Sequence, residues 1–307
     1  MEKVIVVIGP TSVGKTKMGV ALAKKFNGEV ISGDSMQIYK QMDIGTAKVT
    51  EEEKEGIIHH CVDILNPDET YSVHDFQQTV RKKITEITQR GHVPIIVGGT
   101  GLYIKAALYD YQFDEMENDH HAINEKYKDY TNEQLHDHLK SIDEESAKIL
   151  HFNNRRRVLR AIEIYETTGK RKSEMLEEQE HICLYDAYFV GLTLPRDVLY
   201  ERINKRVDVM MENGLKEEMD RLYSQGLTRN HQSMKAIGYK EWFDYYDHQI
   251  DLNDVLELIK KHSRQYAKRQ YTWFKNQFDV HWYDVNLENF EQTIEQVTDD
   301  IEKILKV

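Results

Sequence analysis

In the first third of the chain, short runs of apolar side chains alternate with longer stretches in which apolar and polar residues recur at helical spacing. Three such runs each lead into a glycine turn: residues 3–8, 29–32 and 93–97. Residues 17–26 and 73–90 have apolar positions suited to helices, and Ser72 stands where it can cap the second one. Short buried strands alternating with helices predict an α/β fold, a parallel sheet with helices on both faces.

The pattern changes after residue 109. Residues 110–180 contain no proline and no run typical of a strand, and their apolar positions look helical. Strand character returns at residues 187–194 and is followed by further helical patterns. We therefore predict a core of residues 1–109 and 187–307, ending in C-terminal helices, interrupted by a helical insertion domain of residues 110–186.

A glycine-rich segment joins the first predicted strand to the first predicted helix. It fits G-x-x-x-x-G-K-[ST] in the context which that motif requires, and its residues are Gly9, Pro10, Thr11, Ser12, Val13, Gly14, Lys15 and Thr16. Inward-facing N–H groups and the positive end of the helix dipole attract an anion. Lys15 is expected to reach the terminal phosphates and Thr16 to offer its hydroxyl to Mg²⁺. The segment predicts a P-loop NTPase-like fold that binds a di- or triphosphate.

Polar residues follow the second and third predicted strands, where bound phosphates are expected. Ligands of parallel sheets bind outside the carboxyl ends of the strands, so Asp34, Ser35, Gln37 and Thr100 should face the site. A carboxylate there can accept a proton from a nucleophile. The metal-holding aspartate of ATPases is missing after residues 93–97, which end in two glycines. The alternative for both polar segments is a simple helix cap.

Ten segments together resemble one family in their order and spacing. They are residues 9–16, 34–39, 43–48, 59–60, 98–103, 157–163, 168–169, 202–210, 235–241 and 267–274. Across about residues 3–275 the chain is similar to the tRNA dimethylallyltransferases, also called tRNA isopentenyltransferases.

The resemblance implies transfer of a dimethylallyl group from dimethylallyl diphosphate to N6 of adenosine 37 in the tRNA anticodon loop. The products are N6-dimethylallyladenosine and diphosphate, and the P-loop would hold the leaving group with Mg²⁺ at Thr16. By the same resemblance, Asp34 is the catalytic base, Thr100 lines the reaction channel and Arg206 faces the diphosphate. Asp34, Ser35, Met36, Gln37 and Thr100 are also expected to contact the tRNA.

Two basic segments are candidates for RNA binding. Residues 154–172 contain seven basic and two acidic side chains, a local charge of +5, and residues 260–275 contain six basic and none acidic, a local +6. The expected contacts are Arg156, Arg157, Val158, Leu159, Arg160, Lys268 and Arg269. Aromatic residues accompany both segments, as in proteins that bind RNA loops. The alternative is that each segment is the solvated face of an amphipathic helix.

Charge and composition limit which partners, chemistry and cellular location are expected for this protein. The net charge is −12, from 53 acidic and 41 basic residues, and by itself it argues against a nucleic-acid partner. The two basic segments show that the positive charges are clustered, so the net value does not exclude RNA binding. Cys61 and Cys183 form no CxxC pair, and His59-His60 lacks a third ligand at suitable spacing, so redox and metal-cluster chemistry are not expected. No apolar run could span a bilayer and no secretory signal is recognised, so we expect a cytoplasmic protein without membrane contact. We also expect a monomer.

Two other functions stay open from the residues alone. The first is a P-loop kinase of a small metabolite, with Asp34 as base and Arg157 or Arg206 binding phosphates. The second is a nucleotide-dependent RNA-binding switch that does no chemistry on the RNA.

Overall fold

The structure, a computed structural model, describes residues 1–111, 120–177 and 181–305. Its centre is a six-stranded sheet with the order β3-β2-β4-β1-β5-β6, in which all neighbours are parallel. The strands are β1 (Lys3–Ile8), β2 (Gly28–Ser32), β3 (His59–His60), β4 (Val93–Val97), β5 (Asp186–Thr193) and β6 (His281–Asp284). Because all the strands run the same way, their carboxyl ends meet at one edge of the sheet.

Helices connect the successive strands. They are α1 (Lys15–Lys25), α2 (Glu51–Lys54), α3 (Val73–Gln89), α4 (Gly101–Leu108), α5 (His120–Lys126), α6 (Asn132–Ile142), α7 (Glu144–Ile149), α8 (Arg155–Thr168), α9 (Lys172–Glu177), α10 (Arg196–Glu212), α11 (Leu215–Ser224), α12 (Trp242–Tyr246), α13 (Leu252–Gln277) and α14 (Phe290–Leu305). Ser72 caps α3 in a reciprocal capping box with Asp75, as the sequence predicts. Among the described helices, none is both long and apolar enough to cross a membrane.

Helices bury both faces of the sheet. Side chains of successive strand residues point to opposite sides, so each strand contributes to two cores. In β1, Val4, Val6 and Ile8 pack on one face with α3, α4 and α11, whereas Ile5 and Val7 pack on the other with α1 and α14. This confirms the predicted parallel sheet with helices on both faces. The apolar pattern does not predict β3 and β6, which are too short to form a recognisable apolar run.

By its internal packing the chain divides into two compact units, residues 1–109 with 183–307 and residues 110–182. Residues 183–186, which the sequence assigned to the insertion, belong to the first unit. There Cys183 forms an antiparallel bridge with Tyr109, and the N–H of Leu184 donates to the carbonyl of Leu108 at 2.8 Å. Residues 112–119 and 178–180 of the predicted insertion lie outside the described residues.

The second unit is helical and has an apolar core of its own. Its central members lie on α6 and α8, and they include Leu135, Leu139, Val158, Leu159 and Ile162. The described residues of this unit therefore pack around its own helices, and no strand among them belongs to the sheet.

Candidate active site

The P-loop connects the end of β1 to the first residue of α1. Gly14 has a φ of 105°, and a Cβ there would lie 2.8 Å from the ring of Phe290. Ser12 also has a left-handed backbone, with a φ of 67°, and its buried hydroxyl has no hydrogen-bond partner in the described part of the chain. Strained backbone at a turn that opens a helix is a common feature of anion sites.

Lys15 extends from the first turn of α1 back across the loop. Its ammonium donates to the carbonyl oxygen of Pro10 at 2.8 Å. Burial, with the nearby Arg206 cation, lowers the pKa of Lys15 to about 7, although the negative charge of Asp34 opposes the shift. An ammonium has three donors, so contact with Pro10 leaves others for an anion.

Helix α10 brings two arginines to the same loop. Arg202 Nε donates to the carbonyl of Ser12 at 3.0 Å, and Arg206 Nη1 donates to the hydroxyl of Thr11 at 3.4 Å. Burial lowers the pKa of Arg206, but a guanidinium stays charged. Arg202 is absent from the predicted site, although its position four residues before Arg206 could have placed it there.

Asp34 begins a tight turn at the carboxyl end of β2. Its Oδ1 accepts the N–H of Met36 at 2.8 Å and that of Gln37 at 3.3 Å. The carboxylate therefore holds a turn of its own, and no helix follows it for Asp34 to cap. Within the described residues, Oδ2 of Asp34 accepts no hydrogen bond, so this oxygen is free to act on a ligand.

Thr100 stands at the N-cap of α4 but does not use its hydroxyl to cap the helix. The hydroxyl instead accepts the N–H of Ser35 at 3.2 Å and lies 3.4 Å from the Ser35 hydroxyl. The two polar segments that the sequence singled out are thus bonded to each other, and neither Asp34 nor Thr100 caps a helix through its side chain.

Two side chains of α13 that the sequence did not predict for the site, the buried Gln270 and the half-buried Tyr266, contact its loops. Gln270 accepts the N–H of Thr11 at 3.0 Å and donates to the carbonyl of Gly99 at 2.9 Å. Tyr266 donates to the same carbonyl at 3.3 Å. Burial and the charge of Asp34 raise the pKa of Tyr266 to about 12, so it stays a donor at neutral pH.

The P-loop, the turn at Asp34 and helix α10 line a cavity of about 750 Å³. Its wall includes Thr11, Ser12, Gly14, Lys15, Thr16, Asp34, Gln37 and Arg206 among the predicted site residues. The loop of residues 43–50 and the apolar side chains of Val209 and Met210 complete it. Gly9, Pro10 and Val13 shape the loop, with Val13 buried in the core. No group of three or more His, Cys, Asp or Glu side chains in the described ranges could hold a metal ion.

In the second unit, the basic residues of α8 differ in their environments. Arg156 and Arg157 are exposed, whereas Arg160 pairs with the buried Glu163 at 2.9 Å. Val158 and Leu159 are buried in the core of the unit, so their side chains do not face solvent. Only part of the predicted RNA-binding segment is therefore available to a partner through its side chains.

In the first unit, Lys268 and Arg269 are exposed on α13. The guanidinium of Arg269 lies over the ring of Tyr266, with its central carbon 5.8 Å from the ring centroid. Because Ala267 and Gln270 are buried, this helix presents a basic face to solvent and a second face to the phosphate loop.

Comparison with known proteins agrees with this geometry. Residues 37–277 match the family model for IPP transferase. Proteins from Bacillus cereus strain AH187 and Bacillus anthracis, both named tRNA dimethylallyltransferase, are 54% identical over 287 residues; the match to the first covers 92% of this chain and 90% of that protein.

Solved structures are similar over nearly the whole chain. A tRNA isopentenylpyrophosphate transferase from Staphylococcus epidermidis is 47% identical with a TM-score of 0.74, and coverage is 99% of both chains. A eukaryotic dimethylallyltransferase acting on tRNA is 33% identical with a TM-score of 0.87, covering 99% of this chain and 79% of that one. The chain belongs to the IPP transferase family.

Proposed function

We propose that the protein transfers the dimethylallyl group of dimethylallyl diphosphate to N6 of adenosine 37 in tRNA. The relatives named tRNA dimethylallyltransferase, and the eukaryotic enzyme acting on tRNA, support this substrate pair. In the reaction, a bond forms between N6 and the allylic carbon, the bond from that carbon to the diphosphate breaks, and N6 loses a proton.

The single observation that carries the proposal is the arrangement of Lys15, Arg206 and Asp34 in one cavity. Two cations stand beside one carboxylate, so these three groups together are positively charged and attract an anion. Apolar side chains of Ile44, Val209 and Met210 line the same cavity. A diphosphate with a short apolar tail matches both properties.

On the leaving-group side, the P-loop receives the diphosphate. Lys15 donates to the diphosphate oxygens while it keeps its contact with Pro10. Arg206, which is bonded to the hydroxyl of Thr11, donates to the same group. These donors act on the charge that develops as the allylic bond breaks, where fixed donors are most effective.

On the nucleophile side, Asp34 acts as the base. Its Oδ1 is fixed by the turn to Met36 and Gln37, and Oδ2 is left to take the proton from N6. Thr100 is positioned by Ser35 beside this turn. An adenosine must leave the stacked anticodon loop to reach such a site, so we expect adenosine 37 to be flipped out.

The residues present fit Mg²⁺ as a companion of the diphosphate. Thr16 offers a hydroxyl at the cavity wall, and Mg²⁺ typically binds through few protein oxygens, with substrate phosphates and waters as its other ligands. When bound, the ion supplies positive charge to the departing diphosphate.

For the tRNA, we propose that Arg156 and Arg157 of α8 and Lys268 and Arg269 of α13 contact the phosphate backbone. All four are exposed cations. Ser35, Met36 and Gln37 are proposed contacts of the flipped nucleoside, and the protein is proposed to act as a monomer in the cytoplasm, where its substrate tRNA occurs.

The direct test uses purified protein, dimethylallyl diphosphate and unmodified tRNA. Mass spectrometry of tRNA fragments is expected to show one prenyl group gained on adenosine 37. No transfer, together with ATP turnover on a small metabolite, would replace the proposal with the kinase alternative.

A further inference from the structure

Glu218 on α11 is a buried carboxylate that takes no part in the reaction described above. It is 2% exposed, and it accepts the N–H groups of Asp43 and Ile44 at 2.8 Å each and that of Gly45 at 3.0 Å. The hydroxyl of Tyr239 adds a fourth bond at 2.6 Å. Both oxygens accept two bonds, and all four partners are donors, so the side chain has to be an ionised acceptor.

The three N–H groups belong to the loop that forms one wall of the cavity, residues 43–50. Farther along this loop, the carbonyl oxygens of Thr46 and Ala47 accept from the side-chain amide of Gln37 at 3.4 and 3.3 Å. Gln37 belongs to the turn that Asp34 holds through its Oδ1. A continuous series of hydrogen bonds therefore leads from Glu218, through the loop, to the turn of the proposed base.

The contact between Tyr239 and Glu218 depends on a glycine at position 45. A Cβ on Gly45 would lie 2.5 Å from the ring of Tyr239, so only glycine fits there while the Tyr239 hydroxyl reaches Glu218. Gly45 and Tyr239 lie in two segments that the sequence analysis singled out without giving them a role, residues 43–48 and 235–241. Glu218, which lies in neither of them, joins the two.

We propose that Glu218 is a positioning residue for prenyl transfer, because it fixes the loop of residues 43–48 and, through Gln37, the turn that orients Asp34. The inference rests on the proposed function, since it assigns Asp34 the role of base. Glu218 itself touches neither substrate nor reacting atoms.

The test compares Glu218→Gln with a matched change in another buried glutamate, Glu29→Gln. Glu29 is also 2% exposed and is bonded to Arg90 at 2.7 Å and His60 at 2.6 Å, but it lies at the opposite end of β2 from Asp34. Both variants lose a buried charge. Only Glu218→Gln sets an amide NH₂ against loop and tyrosine donors and so forces the loop to move.

The measurements are kcat for transfer to unmodified tRNA and Kd for dimethylallyl diphosphate, at a temperature where circular dichroism shows both variants folded. For Glu218→Gln we expect kcat to fall about 10- to 100-fold, the scale of a small misplacement of reacting groups, with Kd changed less than about threefold. Glu29→Gln is expected to lower the melting temperature but to keep kcat within about twofold.

A Glu218→Gln variant that keeps kcat within about twofold, or loses no more than Glu29→Gln does, overturns the inference. If Glu218→Gln does not fold, Glu218→Asp is measured, because it keeps the charge but is one methylene too short to reach all three loop amides; an unchanged kcat in that variant also overturns it. The wild-type protein serves in the same assay as the test of the proposed function. Absence of transfer by wild type would refute that function, separately from any result on Glu218.

Discussion

The side chain of Gln270 accepts the backbone N–H of Thr11 at 3.0 Å, which ties helix α13 to the phosphate loop. The neighbouring Lys268 and Arg269 are exposed on the same helix and are proposed to contact tRNA. One helix thus carries a proposed RNA-binding face and a residue bonded to the P-loop.

Replacing Gln270 with Leu should damage diphosphate binding. The change keeps most of the volume but leaves the N–H of Thr11 without its acceptor, at a cost of about 1–3 kcal/mol. It also removes one of the two donors to the carbonyl of Gly99, the other being the Tyr266 hydroxyl. Calorimetry should show Kd for dimethylallyl diphosphate raised about tenfold, with a lower melting temperature. An unchanged Kd in Gln270→Leu would show that the contact to Thr11 is unimportant for diphosphate binding.

Diphosphate affinity should depend on the protonation of Lys15. Its pKa of about 7 in the free protein means that the ammonium is lost as pH rises above 7, whereas a bound anion favours the charged form. Affinity for dimethylallyl diphosphate is therefore expected to fall between pH 7.5 and 9, by up to about tenfold per unit. The ligand's own phosphate ionisation is largely complete by then, because its last pKa is near 6.

The matched variant for this prediction is Lys15→Arg, whose guanidinium keeps its charge over the whole range. It should bind more weakly than wild type at pH 7, owing to its different shape, but with a flat pH profile. The same slope in both proteins would mean that a group other than Lys15 controls binding.

Asp34→Asn should separate binding from chemistry. The amide oxygen can still accept the N–H groups of Met36 and Gln37, so the turn is expected to survive, but the variant has no carboxylate to take a proton from N6. Single-turnover transfer should slow by about two to four orders of magnitude, with tRNA affinity retained. An unchanged rate would exclude Asp34 as the base.

The exposed arginines of α8 offer a test of RNA contact. Replacing both Arg156 and Arg157 with Gln should weaken tRNA binding. Because fewer counterions are released, the slope of the logarithm of the binding constant against log salt should fall in magnitude by about one to two. Arg160 is left in place because its removal would break an ion pair with the buried Glu163. The control is Lys24→Gln with Lys25→Gln on α1, an equal change of charge; an equal effect on binding would show that α8 makes no specific contact.

Much of the fold and part of the site can be predicted from the sequence because the relevant signals are local. The run of residues 3–8, the glycine turn and the amphipathic helix after it specify a strand, a loop and a helix in a row, and the structure has them. β3 and β6 escape prediction because strands of two and four residues are formed by pairing with neighbours and not by an apolar pattern.

The residues missed in the site are distant in sequence from the loops they hold. Gln270 is 259 positions from Thr11, and Glu218 is 175 from Asp43. Each is a single polar residue on an otherwise ordinary helix, and its role comes only from tertiary packing. The apolar pattern of α8 indicates which face of the helix is apolar but not which residues contact a partner. It therefore could not show that the exposed Arg157 is available to RNA while the buried Val158 and Leu159 are not.

The central claim is prenyl transfer to one adenosine with the P-loop holding a diphosphate. It is tested most directly by counting products without any ATP, using tRNA that carries adenosine 37 beside the same tRNA with guanosine there. We predict one diphosphate released for each N6-dimethylallyladenosine formed in the first tRNA and neither product in the second. Diphosphate release without a prenylated nucleoside, or equal modification of both tRNAs, would contradict the claim.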